Sequence, residues 1–469
     1  MSALPSTGPI FSAEVCVVGG GPAGACCALR LARLGHDVLL VERAPRGRPH
    51  VGESLPPSIL PLLQEMDLRQ AVEQAGFFRP RGALVHWDAN ADDPMWADGE
   101  PGFQVDRGRF DALLLTAAER TGVRTVQAAA MAPIVQADAL CLPLRDGGEV
   151  RAGWLVLAHG RRPFSTDGPR TAALYAYWDT PMRGDDRTRV EAAEQAWYWG
   201  APLPDGSFNA TVFVDARGCA GLGRVAREAW YRSLLSRSSL LGGCQAGAMR
   251  THVHVCDATP RVDPVPVDGR VLKVGEAAFS IDALSSQGVQ AAMRSGWQAA
   301  TCVHTMARQP GAYALAAAFH RDQILRTAAR HARLAAGFHA SAARRFGTEF
   351  WRIRSELAAP LTTRAPGPLP PLHAWVALDE AAHCVAVPAL RGDDIVRVEA
   401  LLHPALESPI ACIGDWPISR LLRPLHGAMP VSELLRAWRT QCGDAAAVQL
   451  LSQLWRQGIV VPAAASPLA

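Results

Sequence analysis

Apolar residues open the chain as a nearly unbroken run, Ala13-Glu14-Val15-Cys16-Val17-Val18, the pattern of a parallel strand covered on both faces. A glycine turn follows, then a helix predicted from Ala23 to about Leu34. Gly35 ends it, and Asp37-Val38-Leu39-Leu40-Val41 returns as a second strand. These pieces make a βαβ unit. Amphipathic helices are expected at Ile59–Glu65 and Phe110–Arg120, and Trp154-Leu155-Val156-Leu157-Ala158 reads as another buried strand.

Residues 171–215 alternate instead. Apolar positions recur every second residue in Leu174–Trp178, Arg189–Trp199 and Asn209–Val214, and Pro204-Asp205-Gly206-Ser207 supplies turn chemistry, which predicts a separate antiparallel sheet. Val271–Val274 brings a strand back to the first domain, and alanine-rich helices are expected over 287–306 and 312–358. Pro360, Pro366, Pro368, Pro370 and Pro371 mark a linker at 359–372. Beyond it, a strand at Asp394–Leu402, helices at Ile418–Leu425, Val431–Trp438 and Ala445–Gln457, and a strand at Ile459–Val461 predict a trihelical unit with a small wing. The expected fold is α/β: a Rossmann-type domain over 1–170 and 216–358 with long helices, an inserted antiparallel sheet at 171–215, and a winged-helix-like domain over 373–469.

Composition narrows the function classes. The chain has 469 residues, 49% hydrophobic and 19% charged, so it is a folded protein of two or three domains rather than a disordered one. A net charge of +3 without a basic run argues against a nucleic-acid partner. No stretch approaches the ~20 apolar residues of a membrane helix, and Met1–Ile10 lacks a charged-then-apolar signal. The 11 cysteines are an odd number without a CxxC pair, which fits the reducing cytoplasm and predicts neither a disulfide framework nor a metal site. Only one basic residue is a lysine, Lys273.

The chemistry begins at Gly19-Gly20-Gly21-Pro22-Ala23-Gly24. Its G-x-G-x-x-G spacing gives a tight turn, lets a pyrophosphate approach the backbone at a helix N-terminus, and allows close helix–strand packing. Glu42, at the end of the second strand, is placed to accept ribose hydroxyls. An ADP-containing cofactor is expected.

Four later segments identify it. Gly275-Glu276-Ala277-Ala278, followed by Ile281-Asp282-Ala283-Leu284-Ser285-Ser286-Gln287-Gly288-Val289, resembles the second FAD fingerprint of the p-hydroxybenzoate hydroxylase and flavin halogenase-like superfamily. Val51-Gly52-Glu53-Ser54-Leu55-Pro56-Pro57 resembles the G-E-S segment of its halogenase branch, Asp106-Arg107-Gly108-Arg109-Phe110-Asp111 matches the R-x-x-F-D stretch, and Leu157-Ala158-His159-Gly160-Arg161 stands in the place of A-D-G. The resemblance implies FAD held by Gly19, Gly21, Pro22, Ala23, Gly24, Glu42, Arg43, Ser54, Arg107, Gly275, Glu276, Gly288 and Val289. It also implies a helix opening at Gln287-Gly288-Val289 whose N–H groups stabilise negative charge on the reduced flavin. Gln287 and Gly288, with Glu53 beside the flavin, are therefore the catalytic candidates. His159 and Glu276 replace the usual aspartates, and Ala283 a proline.

Trp197-Tyr198-Trp199-Gly200-Ala201-Pro202 resembles the halogenases' W-x-W-x-I-P stretch, with two aromatics on one strand face as the structural alternative. Halogenases of this branch use an active-site lysine shortly after G-E-S. Here Phe77-Phe78-Arg79-Pro80-Arg81-Gly82 offers only arginine, which stays protonated and cannot accept halogen as an amine does. That leaves monooxygenation through a C4a-hydroperoxyflavin, with molecular oxygen and an external reductant, NAD(P)H or a reductase; no second dinucleotide fingerprint appears. From about Ile395 to Val461 the chain resembles the winged-helix, peptide-recognition domain of peptide-modifying enzymes. The two halves together resemble the flavin monooxygenases that dihydroxylate a tryptophan of a partner polypeptide during cysteine tryptophylquinone formation. A hydroxylase or halogenase of a small or carrier-bound aromatic, and a non-catalytic adaptor or escort of the same fold, stand as alternatives.

Overall fold

The computed structural model describes residues 8–48, 50–87, 95–96, 100–136, 139–161, 168–180, 186–358 and 368–464. The chain divides into two compact units, one of residues 1–308 and 320–359, the other of 309–319 and 360–469. Most of the expected linker at 359–372 lies outside the described residues.

The first unit starts with β1 (Ile10–Val18), α1 (Pro22–Arg33) and β2 (Val38–Glu42). The helix α2 (Arg107–Arg120) and strands β3 (Arg124–Gln127) and β4 (Glu149–Leu157) follow. With Val271–Lys273, the strands make a parallel run in the order 271–273, β4, β1, β2, β3. Val15, Cys16, Val17, Leu39 and Leu40 are buried at its centre, as expected of strands sandwiched between helices. The order reverses between β4 and β1, and at such a switch point an open α/β sheet binds its ligand beyond the carboxyl ends of the strands.

The inserted sheet is built on β5 (Thr171–Asp179), β6 (Thr188–Ala192), β7 (Ala196–Pro202) and β8 (Phe208–Asp215), ordered β5-β8-β7-β6 and antiparallel throughout. Two expectations are corrected. The alternation over 189–199 is two strands, because the exposed pair Glu194-Gln195 turns the chain without glycine or proline, closed by Ala193 N–H to Ala196 O at 2.9 Å. The sheet also recruits strands outside 171–215: Gly82–His86 runs parallel beside β6, and His254–Asp257 pairs with β5.

Both faces of this sheet are covered. Leu174, Trp178, Tyr198, Phe208, Val212 and Tyr231 share one core, and Ala173, Trp197, Trp199, Phe213, Phe350 and Trp351 the other. Burying each large ring stabilises by roughly 1.5–3 kcal/mol. The helix expected over 312–358 breaks into Tyr313–Phe346 and Glu349–Ser355, since Gly347 takes φ +67°, a left-handed value that ends a helix. Before it, Gly288–Arg308 packs on α1, where a Cβ on Gly296 would stand 2.0 Å from Ala23 O.

In the second unit, helices Ile418–Leu422, Val431–Cys442 and Asp444–Arg456 bury Ile418, Leu421, Leu434, Trp438, Leu450 and Leu454 together. The wing is larger than expected. His383–Arg391 pairs with Asp394–Leu402 around Gly392, and Trp375–Leu378 pairs with Val460–Pro462. Pro388 in the first of these disguises a strand that pairs on only one side within its hairpin.

Among the described residues, no helix is long and apolar enough to cross a membrane, and no cluster of metal-ligating side chains occurs. Six of the cysteines are buried and none is in a disulfide.

Candidate functional site

The carboxyl ends of β1, β2 and β4 and the inner face of the inserted sheet enclose a cavity of about 860 Å³, within the range of ligand pockets. All five sequence motifs contribute residues to its lining. Gly19 has φ +109°, and a Cβ there would stand 2.3 Å from Ala158 O; one on Gly24 would stand 1.9 Å from Gly19 O. The turn and helix thus close on each other. A Cβ on Gly21, by contrast, would meet nothing within 4 Å, because it faces open space at the N-terminus of α1, where no side chain caps the helix.

Glu42 is fixed by both carboxylate oxygens: Gly20 N–H donates to Oε2 at 2.5 Å and Ala44 N–H to Oε1 at 2.7 Å. Each oxygen keeps a lone pair for a hydroxyl donor. Arg43 lines the cavity next to it and is exposed. The second fingerprint reaches the first because Gly275, at φ +55°, packs on Ala23 and donates its N–H to Ser295 Oγ at 2.9 Å.

Arg107 opens α2, which Asp106 caps through Arg109 N–H at 2.7 Å. Its guanidinium forks onto Asp111, Nε to Oδ1 at 3.1 Å and Nη2 to Oδ2 at 3.0 Å, while Nη1 donates to Val51 O at 3.1 Å. His50, which sequence reasoning missed, sits 3.2 Å from the same carboxylate. Burial, and after it the Arg107 charge, pushes the His50 imidazole below its usual range despite Asp111. Glu276 is not a free acceptor: Arg161 Nε donates to its Oε1 at 2.8 Å.

The three catalytic candidates separate. Glu53 and Gly288 line the cavity, and Gln287 is not among its lining residues; its N–H turns back to Ser285 Oγ at 3.3 Å. Ser286, in a left-handed conformation at φ +50°, and Val289 complete the helix opening on the cavity.

Glu53 is buried, 3% exposed, between the two sheets. Its Oε1 accepts from Tyr177 Oη at 2.6 Å and Asn209 Nδ2 at 3.0 Å, and its Oε2 from Gly52 N–H at 2.8 Å. Thr211 Oγ1 donates to Asn209 Oδ1 at 2.8 Å, which turns the amide's N–H₂ toward the carboxylate. Burial first, then the Glu53 charge, raises the Tyr177 phenol far above its usual range, so it stays a donor. Burial likewise pushes the Tyr175 phenol up to about 12.

The sheet wall consists of rows across β5, β8 and β7: Tyr177-Asn209-Ala201, Tyr175-Thr211-Trp199 and Ala173-Phe213-Trp197. Trp197 and Phe213 stack at 3.6 Å between ring centroids. Trp197 and Trp199 share this face while Tyr198 points to the other core, so the W-x-W stretch packs the sheet and lines the cavity at once. Lys273 is held elsewhere, its Nζ 2.6 Å from Asp263 Oδ2.

This donor set fits FAD. An open helix N-terminus and glycine turn suit a pyrophosphate, Glu42 suits ribose hydroxyls, and Arg107 and the Gly288 helix opening add positive potential along one cavity. Bound there, FAD would supply the redox chemistry.

A family model described as pyridine nucleotide-disulphide oxidoreductase matches residues 13–189. Tryptophan 2-halogenase of Chondromyces crocatus is 27% identical over 369 residues, 72% of this chain and 70% of that protein. The flavin-dependent halogenase armH3 of Armillaria mellea is 30% identical over 241 residues, 44% of this chain and 47% of that one. Among solved structures, the peptidyl tryptophan dihydroxylase QhpG, essential for tryptophylquinone cofactor biogenesis, superposes with a TM-score of 0.72 at 26% identity, over 95% of this chain and 99% of its own. The flavin-dependent halogenase CmlS superposes with a TM-score of 0.81 over 96% of both chains, a likeness of fold at 20% identity. An intact FAD cradle and enzymatic relatives remove the adaptor alternative. By fold, motif order and these likenesses the chain resembles flavin-dependent monooxygenases and halogenases, and it is an FAD-dependent oxidoreductase supplied by an external reductant.

Proposed function

We propose that this enzyme hydroxylates an electron-rich aromatic ring, and that the ring is a tryptophan side chain of a partner polypeptide that becomes a quinone cofactor of the cysteine tryptophylquinone type. The observation that carries the first half is the composition of the cavity. It joins an FAD cradle to a wall of Trp199, Phe213 and Tyr175 with one buried carboxylate, Glu53, and the chain's only lysine is paired with Asp263 instead. The second half rests on the likeness to a peptidyl tryptophan dihydroxylase along 99% of that chain. The unit at 360–469, with three helices and a wing, is the proposed polypeptide-recognition part.

Bound FAD would supply the two-electron chemistry by which dioxygen gives one atom to the ring and one to water. The chain's residues do the rest. Trp199 and Phe213 seat the ring and exclude water. Glu53 accepts the proton that the ring's N–H or O–H gives up as the oxygen atom is added. Glu42, Arg107 and the α1 N-terminus hold the cofactor.

A second reading, halogenation of a small or carrier-bound aromatic, is favoured by the sequence relatives, which include a chlorinase acting on a peptidyl-carrier-bound pyrrole. The cavity offers arginines and no amine for it. Both are tested by supplying the FAD-loaded enzyme with a reductase, NADH, air and a tryptophan-containing partner polypeptide, with and without bromide. Mass increments of 16 or 32 on tryptophan, unchanged by bromide, are expected (one or two oxygen atoms). A brominated product would move the assignment to halogenation.

A further inference from the structure

The register of β5, β8 and β7 places Tyr177, Asn209 and Thr211 on one face, and all three converge on Glu53 from segments 124 to 156 residues away in sequence or through one another. The groups that meet the carboxylate are donors: a phenol, an amide N–H₂ oriented by Thr211, and the Gly52 N–H. The carboxylate is therefore pinned in direction as well as place. Oε1 is occupied by two donors, while Oε2, among the described residues, accepts only the neighbouring N–H and keeps a lone pair. Next to it the wall changes abruptly to rings, Tyr175 and Trp199 flanking Thr211, and then to the Trp197–Phe213 stack.

A flat ring seated on that wall meets Glu53 as its anionic acceptor, beside the hydroxyls of Tyr175 and Thr211. We propose that the cavity selects aromatic rings that carry an N–H or O–H donor, with Glu53 Oε2 as the acceptor, and that Tyr177, Asn209 and Thr211 are positioning residues that aim it. The ring's donor then fixes which carbon faces the cofactor, so this network sets regiochemistry. The inference takes its substrate class, an electron-rich ring, from the proposed function, but it is read by binding alone.

The probes are indole and benzofuran, rings of the same shape that differ in N–H against ring oxygen. Equilibrium dialysis against the FAD-loaded full-length protein is expected to show indole bound at least about tenfold more tightly, the scale on which a site built for a donor rejects the analogue lacking it. In Glu53→Gln the amide oxygen is drawn to Tyr177 and Asn209, so an N–H₂ faces the ring and the preference collapses or reverses. Thr211→Val, equal in size, is expected to cut the preference to about threefold, and Thr211→Ser to restore it. A merely structural role for Thr211 would leave the ratio untouched, and normal FAD content reports an intact fold. Equal affinity for the two probes in the unmodified protein overturns the inference, as does a preference that survives Glu53→Gln. If the preference behaves as expected but no polypeptide is oxidised, the inference stands and only the polypeptide assignment fails.

Discussion

Where the cavity meets the parallel sheet it is framed by glycine turns and a helix end, at Gly19, Gly20, Gly21, Gly52, Gly275 and Gly288; where it meets the antiparallel sheet it is framed by side chains, from Tyr175, Trp199, Thr211 and Phe213. The first wall recognises a ligand by the shape and dipoles of turns and a helix end, which depend on spacing along a short stretch of chain. The second recognises by which side chains the register aligns across three strands. A constant cofactor suits the former, and a variable substrate suits the latter.

The sharpest way to break this contrast is at the backbone wall. Gly21→Asp sets an anion in the open space before α1, so the protein should fold and lose FAD by more than a hundredfold in affinity, read as flavin absorbance after desalting. Gly24→Ala fails differently: its Cβ would stand 1.9 Å from Gly19 O, so the helix must move and thermal stability should fall as well. Full flavin content in Gly21→Asp would refute the cradle.

A subtler effect comes from beneath the same wall. His320, wholly buried, donates from Nε2 to Lys273 O at 2.9 Å, and burial pushes its imidazole down to about 4. The unfolded chain takes up a proton there near pH 6.5 while the native state does not. This contribution is therefore complete above pH 6.5 and is lost as pH falls toward 4, about 2 kcal/mol of it by pH 5. Urea titrations at pH 7 and pH 5 should show that loss, and His320→Phe should lessen it; an identical pH slope in the variant would show that other groups govern acid sensitivity.

The smallest effect belongs to the side-chain wall. Trp199→Leu should leave FAD content unchanged and lower turnover of the aromatic substrate about tenfold, the scale of one ring contact. A loss of flavin in that variant would mean the two walls are not separable.

The backbone wall was legible in the sequence because its parts are local. The strand, turn, helix and Glu42 span thirty-odd residues, and their spacing alone predicts the turn that forms. The side-chain wall was not. Tyr177 and Asn209 reach Glu53 across 124 and 156 positions, and Arg161 reaches Glu276 across 115, with no local pattern to announce either. Strand Gly82–His86 escaped because its five residues are half-buried rather than alternating. Gly347 was overrun by the alanine-rich periodicity around it. Gln287 was expected among the catalytic groups on motif position, yet a hydrogen bond two residues back takes its N–H.

The three rows of the inserted sheet carry a further consequence. Along β8, Asn209, Thr211 and Phe213 face the cavity while Phe208, Ala210, Val212 and Val214 face the opposite core. A strand's side chains alternate with a period of two, so one inserted or deleted residue within β8 would exchange these sets. The carboxylate would lose its amide, and β8 would present Phe208, Ala210, Val212 and Val214 to the cavity in place of its polar pair. Descendants of this sequence can therefore acquire new substrates by replacing single residues on one face, whereas changes of length are tolerated only in the loops between strands.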